Sequence, residues 1–358
     1  MTDGLLARLG DVLPIRYGKA LPERQRVATG TVPVFGSSGL VGRHTVALTS
    51  GAALIIGRKG SVGAVHLSEV PCWPIDTAYF TEAPDGQNLK YFKYLLQSLR
   101  LVQLDRSTAI PGLSRDDYNS LQVVVAEKDR QPEIVAEIEK QFSRLDEAVA
   151  NLRRVRANLK RHERATIVSV VRDAQSRPAL AGTLAELAVS LDNLRKPVNK
   201  TERATRPGGI PYLGANGQTG WIDQPLFDEE LVLVVEDETF VGRTAPFSYY
   251  FAGKCWVNNH THVLRARPEV VTPKYLNLAL SYYPFIPLTT GSTGRRKLTK
   301  AALMSAPISV PSVKEQVAIV AEVDRRLSIV RGVEAEVDAN LKRAQALRQA
   351  VLAKAFGG

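Results

Sequence analysis

Two long amphipathic segments restrict the fold of this chain more than any other feature of its sequence. Between about Gln131 and Arg172, apolar residues recur at steps of three and four, which predicts one apolar stripe along a continuous helix. Pro132 suits the first helical turn, where its missing N–H costs nothing. A second segment, from Lys314 to Phe356, has a similar pattern and tolerates Gly332. Each helix would be about 60 Å long at ~1.5 Å per residue, and antiparallel pairing is the simplest way to bury both stripes.

The segments outside these helices are duplicated as well. Pro33–Gly42 and Pro211–Gly220 share one proline and three glycines at an offset of 178 residues (211 minus 33). Further matches follow in the same order, at offsets of 183 to 185 that short loop insertions would produce: Cys72-Trp73 with Cys255-Trp256, Lys90-Tyr91 with Lys274-Tyr275, and Leu113-Ser114 with Leu298-Thr299. Ordered matches along the whole chain indicate an internal duplication.

Each half is predicted to contain a β-rich globular segment followed by one long helix. Short apolar strands such as Ala52–Gly57 and Leu231–Glu236 are bounded by turn-forming residues, and helices are predicted at Leu89–Val102 and Pro273–Ser281. The predicted fold class is α+β, with two pseudo-symmetric β-rich domains separated by a pair of long antiparallel helices. The predicted boundaries place the domains at residues 1–127 and 174–311, and the helices at residues 128–173 and 312–358.

Composition narrows the class of protein. A net charge of +11 and a pI of about 9.6 favour polyanions as partners through counterion release, although many basic proteins never bind nucleic acid. No apolar run reaches the ~18 residues of a transmembrane helix, and the first residues lack the apolar core of a signal peptide. Cys72 and Cys255 lie in separate segments, which indicates a reducing cytoplasm and provides no metal cage.

Glycine-rich loops supply the first candidate DNA contacts. In Gly57–Gly63 (GRKGSVG), glycines permit close backbone approach and the basic pair suits phosphate contact. The alternative is a glycine-supported hairpin with solvated charges, and the Walker spacing is absent. In Pro33–Gly42 and Pro211–Gly220, small and amide side chains lie between glycines, where Asn or Gln could pair with adenine. The alternative is an ordinary turn.

Two later loops complete the candidate set. Thr289–Lys300 combines basic side chains with hydroxyls, which can hold a phosphate backbone, and Leu104–Asp117 is its counterpart. The alternative is a solvated basic face. A histidine in the Asn258–His262 segment either reads bases or satisfies a buried polar turn. The candidate DNA-binding residues are Ser37, Ser38, Arg43, Arg58, Lys59, Ser61, Thr108 and Arg115 in the first half, and Asn216, Gln218, Thr219, Arg243, His260, Ser292, Thr293, Arg295, Arg296 and Lys297 in the second.

The sequence contains no motif that predicts catalysis. It lacks an amino-methyltransferase segment of the form [DNS]PP[YFW], a PD…(D/E)xK nuclease cluster and a Walker motif. No histidine or cysteine spacing indicates a metal site. The chain is therefore predicted to be a DNA reader that is not itself an enzyme and binds no cofactor.

The order of a globular segment, a long helix, a second globular segment and a second long helix resembles the specificity (S) subunit of type I restriction–modification enzymes. "ALIIGRKGSVGAV" resembles the glycine loop of a target recognition domain in that family. "STAIPGLSRDDYNSLQVVV" and "GSTGRRKLTKAALMSAPISVP" are similar to the segments that end such domains, and "VKEQVAIVAEVDRRLSIV" to the closing helix. The first long helix is less similar in sequence to the closing helix of that family. In the second half, an acidic "EDETF" replaces the basic part of the glycine loop.

The resemblance implies two target recognition domains that each read one half of a bipartite, asymmetric DNA site, with the helix pair setting the spacing. It further implies two methyltransferase (M) subunits as partners, which methylate adenine, and a restriction/translocase (R) subunit that would add cleavage and serve phage defence. S-adenosylmethionine, ATP and magnesium would then belong to the partners. The alternatives are a stand-alone sequence-specific DNA-binding regulator and a fused methyltransferase, and the lack of a catalytic segment disfavours the second.

Overall fold

The computed structural model describes residues 4–83, 87–104, 112–238, 240–291 and 296–357. It divides into two compact units: unit 1 comprises Met1–Arg153 and Asp338–Gly358, and unit 2 comprises Arg154–Val337. Each unit contains a β-rich domain and one half of each of two long helices. The predicted fold class is therefore confirmed.

Unit 1 is built on three small sheets. Its strands are β1 (Gly4–Arg8), β2 (Arg16–Tyr17), β3 (Val32–Gly36), β4 (Gly39–His44), β5 (Ala53–Gly57), β6 (Val65–Ser68), β7 (Trp73–Pro74), β8 (Ala78–Glu82) and β9 (Gln122–Ala126). Its helices are α1 (Leu9–Val12), α2 (Leu89–Ser98), α3 (Arg115–Ser120) and the first part of α4 (Gln131–Gln175). The strand orders are β2-β8-β5-β6, β4-β3-β7 and β1-β9.

Unit 2 repeats this plan with a larger sheet. Its strands are β10 (Leu180–Thr183), β11 (Ala188–Ser190), β12 (Ile210–Gly214), β13 (Gly217–Ile222), β14 (Phe227–Val235), β15 (Asp237–Glu238), β16 (Ser248–Val257), β17 (Thr261–Ala266), β18 (Thr289–Thr290), β19 (Arg296–Leu298) and β20 (Pro307–Val310). Its helices are α5 (Leu184–Leu187), α6 (Lys200–Ala204), α7 (Pro273–Ser281), α8 (Lys300–Met304) and the first part of α9 (Val313–Phe356). The strand orders are β11-β17-β14-β16-β12-β13, β15-β19-β18 and β10-β20.

The duplication seen in the sequence extends to strand register. Strand β3 pairs in parallel with β7, placing Val34 opposite Trp73, and β12 pairs in parallel with β16, placing Tyr212 opposite Trp256. In each unit the tryptophan Nε1 donates a 2.9 Å hydrogen bond to the carbonyl oxygen of an equivalent lysine. The hairpins β3–β4 and β12–β13 also carry a register shift at the same place. The two domains are therefore copies of one plan.

Each unit buries a fully apolar central strand. All five residues of β5 are buried, as are the last five of β14, because their "ALIIG" and "LVLVV" sequences have apolar side chains on both faces. On one face, α2 covers the unit 1 strand and α7 covers the unit 2 strand. Asn88 caps the N-terminus of α2 and Thr272 that of α7 through side-chain oxygens that accept backbone N–H groups.

Within each unit the two long helices run antiparallel. In unit 1, buried residues of α4 share a core with Leu352 of α9, and Asp146 forms an ion pair with Arg348. In unit 2, Ile167 and Val171 of α4 share a core with Val323 of α9. The buried apolar stripes of α4 and α9 are narrower than the sequence predicted, since Val155 on α4 and Val333 and Leu347 on α9 are exposed. A 3.6-residue helical turn drifts away from a strict heptad, which moves such positions off the contact.

A buried glutamine joins each long helix to its own domain. Gln131 at the start of α4 is fully buried, and its Nε2 donates to Ala126 O at 3.1 Å while its Oε1 accepts from the N-cap residue of α2 at 3.0 Å. Gln316 near the start of α9 is also fully buried. Its Nε2 donates to Pro311 O at 2.9 Å and its Oε1 accepts from the N-cap residue of α7 at 2.8 Å.

Within the described part of the chain, one difference between the two copies of the repeat leaves a buried hydroxyl group without a hydrogen-bond partner. The Tyr91 hydroxyl accepts a 2.8 Å hydrogen bond from the backbone N–H of Ala126. Pro311 occupies the position equivalent to Ala126 and has no N–H. Among the described residues, the buried hydroxyl of the equivalent Tyr275 consequently has no hydrogen-bond partner.

This difference predicts opposite effects for the same change in the two units. Tyr91→Phe is expected to lower the free energy of unfolding by about 1–3 kcal/mol, because it leaves the buried Ala126 N–H unsatisfied. Tyr275→Phe is expected to be neutral or stabilising, because it removes a buried polar group that has no partner. Denaturant unfolding followed by circular dichroism measures both. Equal losses from the two variants would contradict this account.

Candidate nucleic-acid interface

In unit 1, the tip of the β3–β4 hairpin lies against the loop that follows β5. Gly39 closes the two-residue turn with a φ of +109°, a conformation that favours glycine. The hairpin is held by His66, whose Nε2 lies 3.1 Å from Ser37 O, and by Thr77, whose Oγ1 accepts from Ser37 N at 3.4 Å. A Cβ at Gly57 would lie 2.0 Å from Ser61 O, so glycine is required for this close approach.

Two arginines and an exposed tyrosine form a basic aromatic surface beside this tip. The Arg58 guanidinium lies 5.5 Å from the Tyr17 ring centroid, and that of Arg115 lies 6.0 Å from it. Arg58 is also held by its Nε and Nη2, which donate to Asp76 O at 3.1 and 2.5 Å. Tyr17 is 53% exposed, so its ring can stack on a base or support the arginines.

Tyr17 is a residue that sequence reasoning missed. Its position in "IRYGK", beside two basic residues, was the available signal. Its role depends on Arg58 and Arg115, which are distant in sequence and meet only in the folded domain. Burial, with the neighbouring Tyr17, raises the pKa of Tyr79 to about 12, so Tyr79 stays neutral beneath the basic surface.

In unit 2, the equivalent hairpin tip carries an asparagine held by an arginine. Gly217 closes the β12–β13 turn with a φ of +106°. Arg243 Nη2 donates to Asn216 Oδ1 at 2.8 Å, and Arg243 Nε donates to Pro246 O at 3.1 Å. The guanidinium also lies 5.7 Å from the Phe247 ring centroid. Arg243 is thereby fixed, and it fixes the amide of Asn216.

The β16–β17 turn adds a second polar group to this tip. Asn258 Oδ1 accepts from His260 N at 3.0 Å and from Thr261 Oγ1 at 3.2 Å. His260 is exposed, and its Nδ1 lies 2.7 Å from Asp237 Oδ1. A Cβ at Gly214 would lie 2.9 Å from Asn258 Nδ2, so the turn and the hairpin are in close contact.

Behind this tip, unit 2 contains a charged network. His262 is 1% exposed, with Nδ1 2.6 Å from Asp192 Oδ2 and Nε2 2.8 Å from Leu298 O. Arg195 Nη1 donates to Glu236 Oε2 at 2.6 Å. Burial tends to raise the pKa of Asp192, but His262 and Arg195 outweigh it and the pKa is lowered. This carboxylate is therefore charged in the folded protein.

His262 is consequently a structural residue. It occupies the position of Tyr79, whose hydroxyl donates to Leu113 O at 3.1 Å in unit 1. Leu113 and Leu298 are equivalent residues of the repeat. For His262, therefore, the structure favours the buried polar turn over base reading, whereas His260 faces solvent.

The remaining predicted residues are distributed as follows. Ser38, Ser61 and Lys59 are exposed near the unit 1 tip, whereas Arg43 lies at the other end of the hairpin, pairing with Pro33 in the strand register. Gln218 Nε2 donates to Gly220 O at 3.1 Å and Thr219 Oγ1 to Tyr212 O at 3.4 Å. Arg296 donates to the Oγ1 and O of Thr289 at 2.6 and 3.0 Å. Lys297 Nζ lies 3.3 Å from Glu236 Oε1. Thr108, Ser292, Thr293 and Arg295 lie outside the described residues.

The described residues were also compared with the requirements of a metal site and of a membrane span, and they meet neither. Within the described ranges, no group of His, Cys, Asp and Glu side chains could hold a metal ion. Across that same part of the chain, no helix combines the length and apolar composition needed to cross a membrane. Cys72 and Cys255 are free and buried, and burial raises the pKa of the Cys255 thiol to about 12, which makes it unreactive.

Residues 182–337 match the family model of the type I restriction modification DNA specificity domain. They cover most of the unit 2 domain, including the hairpin tip and the charged network described above. Together with the duplicated fold, this match and the relatives that follow show that the chain is similar to type I restriction–modification specificity subunits. The resemblance that the sequence predicted is confirmed.

Two named relatives illustrate this similarity. The chain is 37% identical over 142 residues to a protein of Haemophilus influenzae named as a type I restriction enzyme specificity subunit. It is 24% identical over 165 residues to the type I restriction enzyme EcoprrI specificity subunit of Escherichia coli. These matches span 39% and 45% of this chain, and 35% and 41% of the relatives.

A solved structure from a study of complex assembly and conformational transition of the type I R-M system has the same fold. The two chains superpose with a TM-score of 0.65 at 18% identity, covering 99% of this chain and 98% of the other. At this level of identity the likeness concerns the fold alone.

Proposed function

We propose that this chain is the DNA specificity subunit of a type I restriction–modification system. Each unit reads one half of a bipartite, asymmetric site, and the paired helices set the spacing between the halves. The observation that carries the proposal is the occurrence of a polar hairpin tip at the same place in both units, with different side chains in each. Unit 1 presents Ser37, Arg58 and Lys59, and unit 2 presents Asn216, Arg243 and His260.

The chemistry of these groups suits the task. Arginine and lysine beside the tips hold phosphates and supply sequence-independent affinity. Amide, hydroxyl and imidazole groups at the tips hydrogen-bond to base edges in the major groove. Because the two tips share a backbone but carry different side chains, one fold can read two unlike half-sites. The chain's own residues provide binding and positioning only.

We further propose two methyltransferase subunits as partners, which methylate an adenine in each half-site, and a restriction/translocase subunit in the complete system. An adenine that is to be methylated has to leave the base stack, so the partner would flip it into its own active site. S-adenosylmethionine, ATP and magnesium would be bound by these partners. A stand-alone DNA-binding regulator is the competing function, and it predicts a chain that purifies without a methyltransferase.

The test is an exchange of one domain. Replacing residues 1–127 with those of a homologue of different specificity is expected to change one half of the methylated sequence and leave the other half unchanged. Replacing residues 174–311 should change the opposite half, which makes it the matched control. Methylated adenines are mapped by sequencing DNA exposed to each complex. A change in both halves from either exchange would refute the assignment of one half-site to each unit.

A further inference from the structure

At the exposed tip of unit 2, one end of an asparagine amide is bonded within the protein and the other end is available to a ligand. Asn216 is exposed at the turn between β12 and β13, and a Cβ placed on the adjoining Gly217 would lie in open space among the described residues. A base edge can therefore approach the amide of Asn216 directly. Whether the base meets a donor or an acceptor depends on which of Oδ1 and Nδ2 is still available.

Arg243 determines that orientation. Its Nη2 donates to Asn216 Oδ1 at 2.8 Å and also to Pro246 O at 2.8 Å. The arginine is fixed by its second bond to Pro246 and by the Phe247 ring beneath it. The Asn216 carbonyl oxygen is thus engaged within the protein, and the Nδ2 group, with two hydrogens to donate, faces outward.

In the neighbouring turn, the side-chain carbonyl oxygen of an asparagine is engaged in the same way. Asn258 Oδ1 accepts two hydrogen bonds from its own turn. His260 Nδ1 lies against Asp237 Oδ1, which leaves Nε2 as the outward nitrogen of an exposed ring. With Nδ1 donating to the carboxylate, the Nε2 of a neutral ring is an acceptor, so His260 does not share the donor character of Asn216. Gln218 is a second exposed amide on this hairpin. Its Nε2 donates back along the strand to Gly220 O.

We propose that Asn216 selects a guanine in the half-site read by unit 2, with Arg243 as its positioning residue. Guanine presents two acceptors, N7 and O6, in the major groove, and these match a group that only donates. Adenine recognition by asparagine requires both ends of the amide, to donate to N7 and accept from N6. Because Arg243 already holds Oδ1, the amide favours guanine over the adenine pairing considered from the sequence. This inference rests on the proposed function.

Asn216→Asp is the sharpest test, because it changes the outward group from donor to acceptor with little change in shape. Arg243 would bind one carboxylate oxygen, and the other would accept from the exocyclic amine of cytosine. The expected result is a switch from guanine to cytosine at one position of one half-site, by at least about tenfold in relative methylation. The other half-site, read by unit 1, serves as the internal control.

Arg243→Lys is the second variant. Without the planar fork that holds Oδ1, the amide can turn and pair with adenine, so the same position should accept guanine and adenine alike. This readout separates a positioning role from loss of structure, which would reduce methylation of every sequence equally. It also decides the matter if Asn216→Asp gives no methylated product.

The measurement uses the full chain in complex with its methyltransferase partners and a pool of duplexes randomised across the two half-sites. Methylated duplexes are sequenced for the wild type and for both variants. The inference is overturned if the position that responds is not guanine in the wild type, or if neither variant alters base preference. A wild-type complex that methylates without any defined site would instead refute the proposed function itself.

Discussion

Replacing Gln316 with alanine is expected to lower the free energy of unfolding by about 3 kcal/mol or more. The side chain is fully buried and makes three hydrogen bonds to backbone groups: Nε2 donates to Val270 O and Pro311 O, both at 2.9 Å, and Oε1 accepts from Thr272 N at 2.8 Å. Its removal leaves these groups unsatisfied, and each costs about 1–3 kcal/mol when buried. A cavity at the junction of α9 and its domain adds to the loss.

Gln345→Ala is the matched control for this prediction. It removes the same side chain from an exposed position of the same helix, where a change within about 0.5 kcal/mol is expected. Gln131→Ala in unit 1 should resemble Gln316→Ala, because Gln131 has two equivalent backbone bonds and a third bond to the Gln87 side chain. Denaturant midpoints measure all three variants. A loss as small for Gln316→Ala as for Gln345→Ala would show that the buried bonds do not hold the helix to its domain.

The double substitution of Arg58 and Lys59 by alanine is expected to weaken DNA binding by about tenfold or more at moderate salt. If both side chains contact phosphates, the slope of log affinity against log salt concentration should fall by about 2. The loss should be similar for specific and random duplexes, because phosphate contacts carry no sequence information. Lys59→Ala alone should lower the slope by about 1. This single variant leaves the contact between Arg58 and Tyr17 in place.

A charge-matched control removes Lys342 and Arg343, which lie on the exposed face of α9. This variant also loses two positive charges, but these two residues lie outside the proposed interface. Its salt slope should therefore stay close to that of the wild type. Binding titrations at several salt concentrations give both slopes. Equal slopes for the two double variants would mean that net charge, and not the unit 1 tip, governs affinity.

Local patterns in the sequence predicted much of the fold. The helix predicted at Pro273–Ser281 has those bounds in the structure, and the apolar runs at Ala52–Gly57 and Leu231–Glu236 contain the buried strands β5 and β14. These features depend on periodicity and on glycine positions, which can be read from neighbouring residues. The duplication was evident for the same reason, since glycines that permit a tight turn recur in both halves.

The candidate site could be located from the sequence only in part. Arg58 and Lys59 were identified from their glycine-rich loop, but Tyr17 comes from another strand and meets Arg58 only after folding. Arg296 was predicted to be a phosphate contact from its charge, and only the structure shows that its guanidinium also donates to Thr289. The orientation of Asn216 depends on Arg243, which lies 27 residues away in sequence. Tertiary contacts of this kind leave no local periodic signal.

The composition of unit 1 determines when it can fold during synthesis. The ribosome has to add about 200 further residues after Arg153 before Leu352 and Phe356 are made, which takes roughly 10 to 40 s at typical elongation rates. Until then Tyr91 lacks Phe356, and the core around Phe142 lacks Leu352. The first domain to emerge is therefore an unfinished one that waits with exposed apolar surface, whereas unit 2 is translated as one continuous stretch and can close first. Chaperone dependence during translation should accordingly fall on the N-terminal half of the chain.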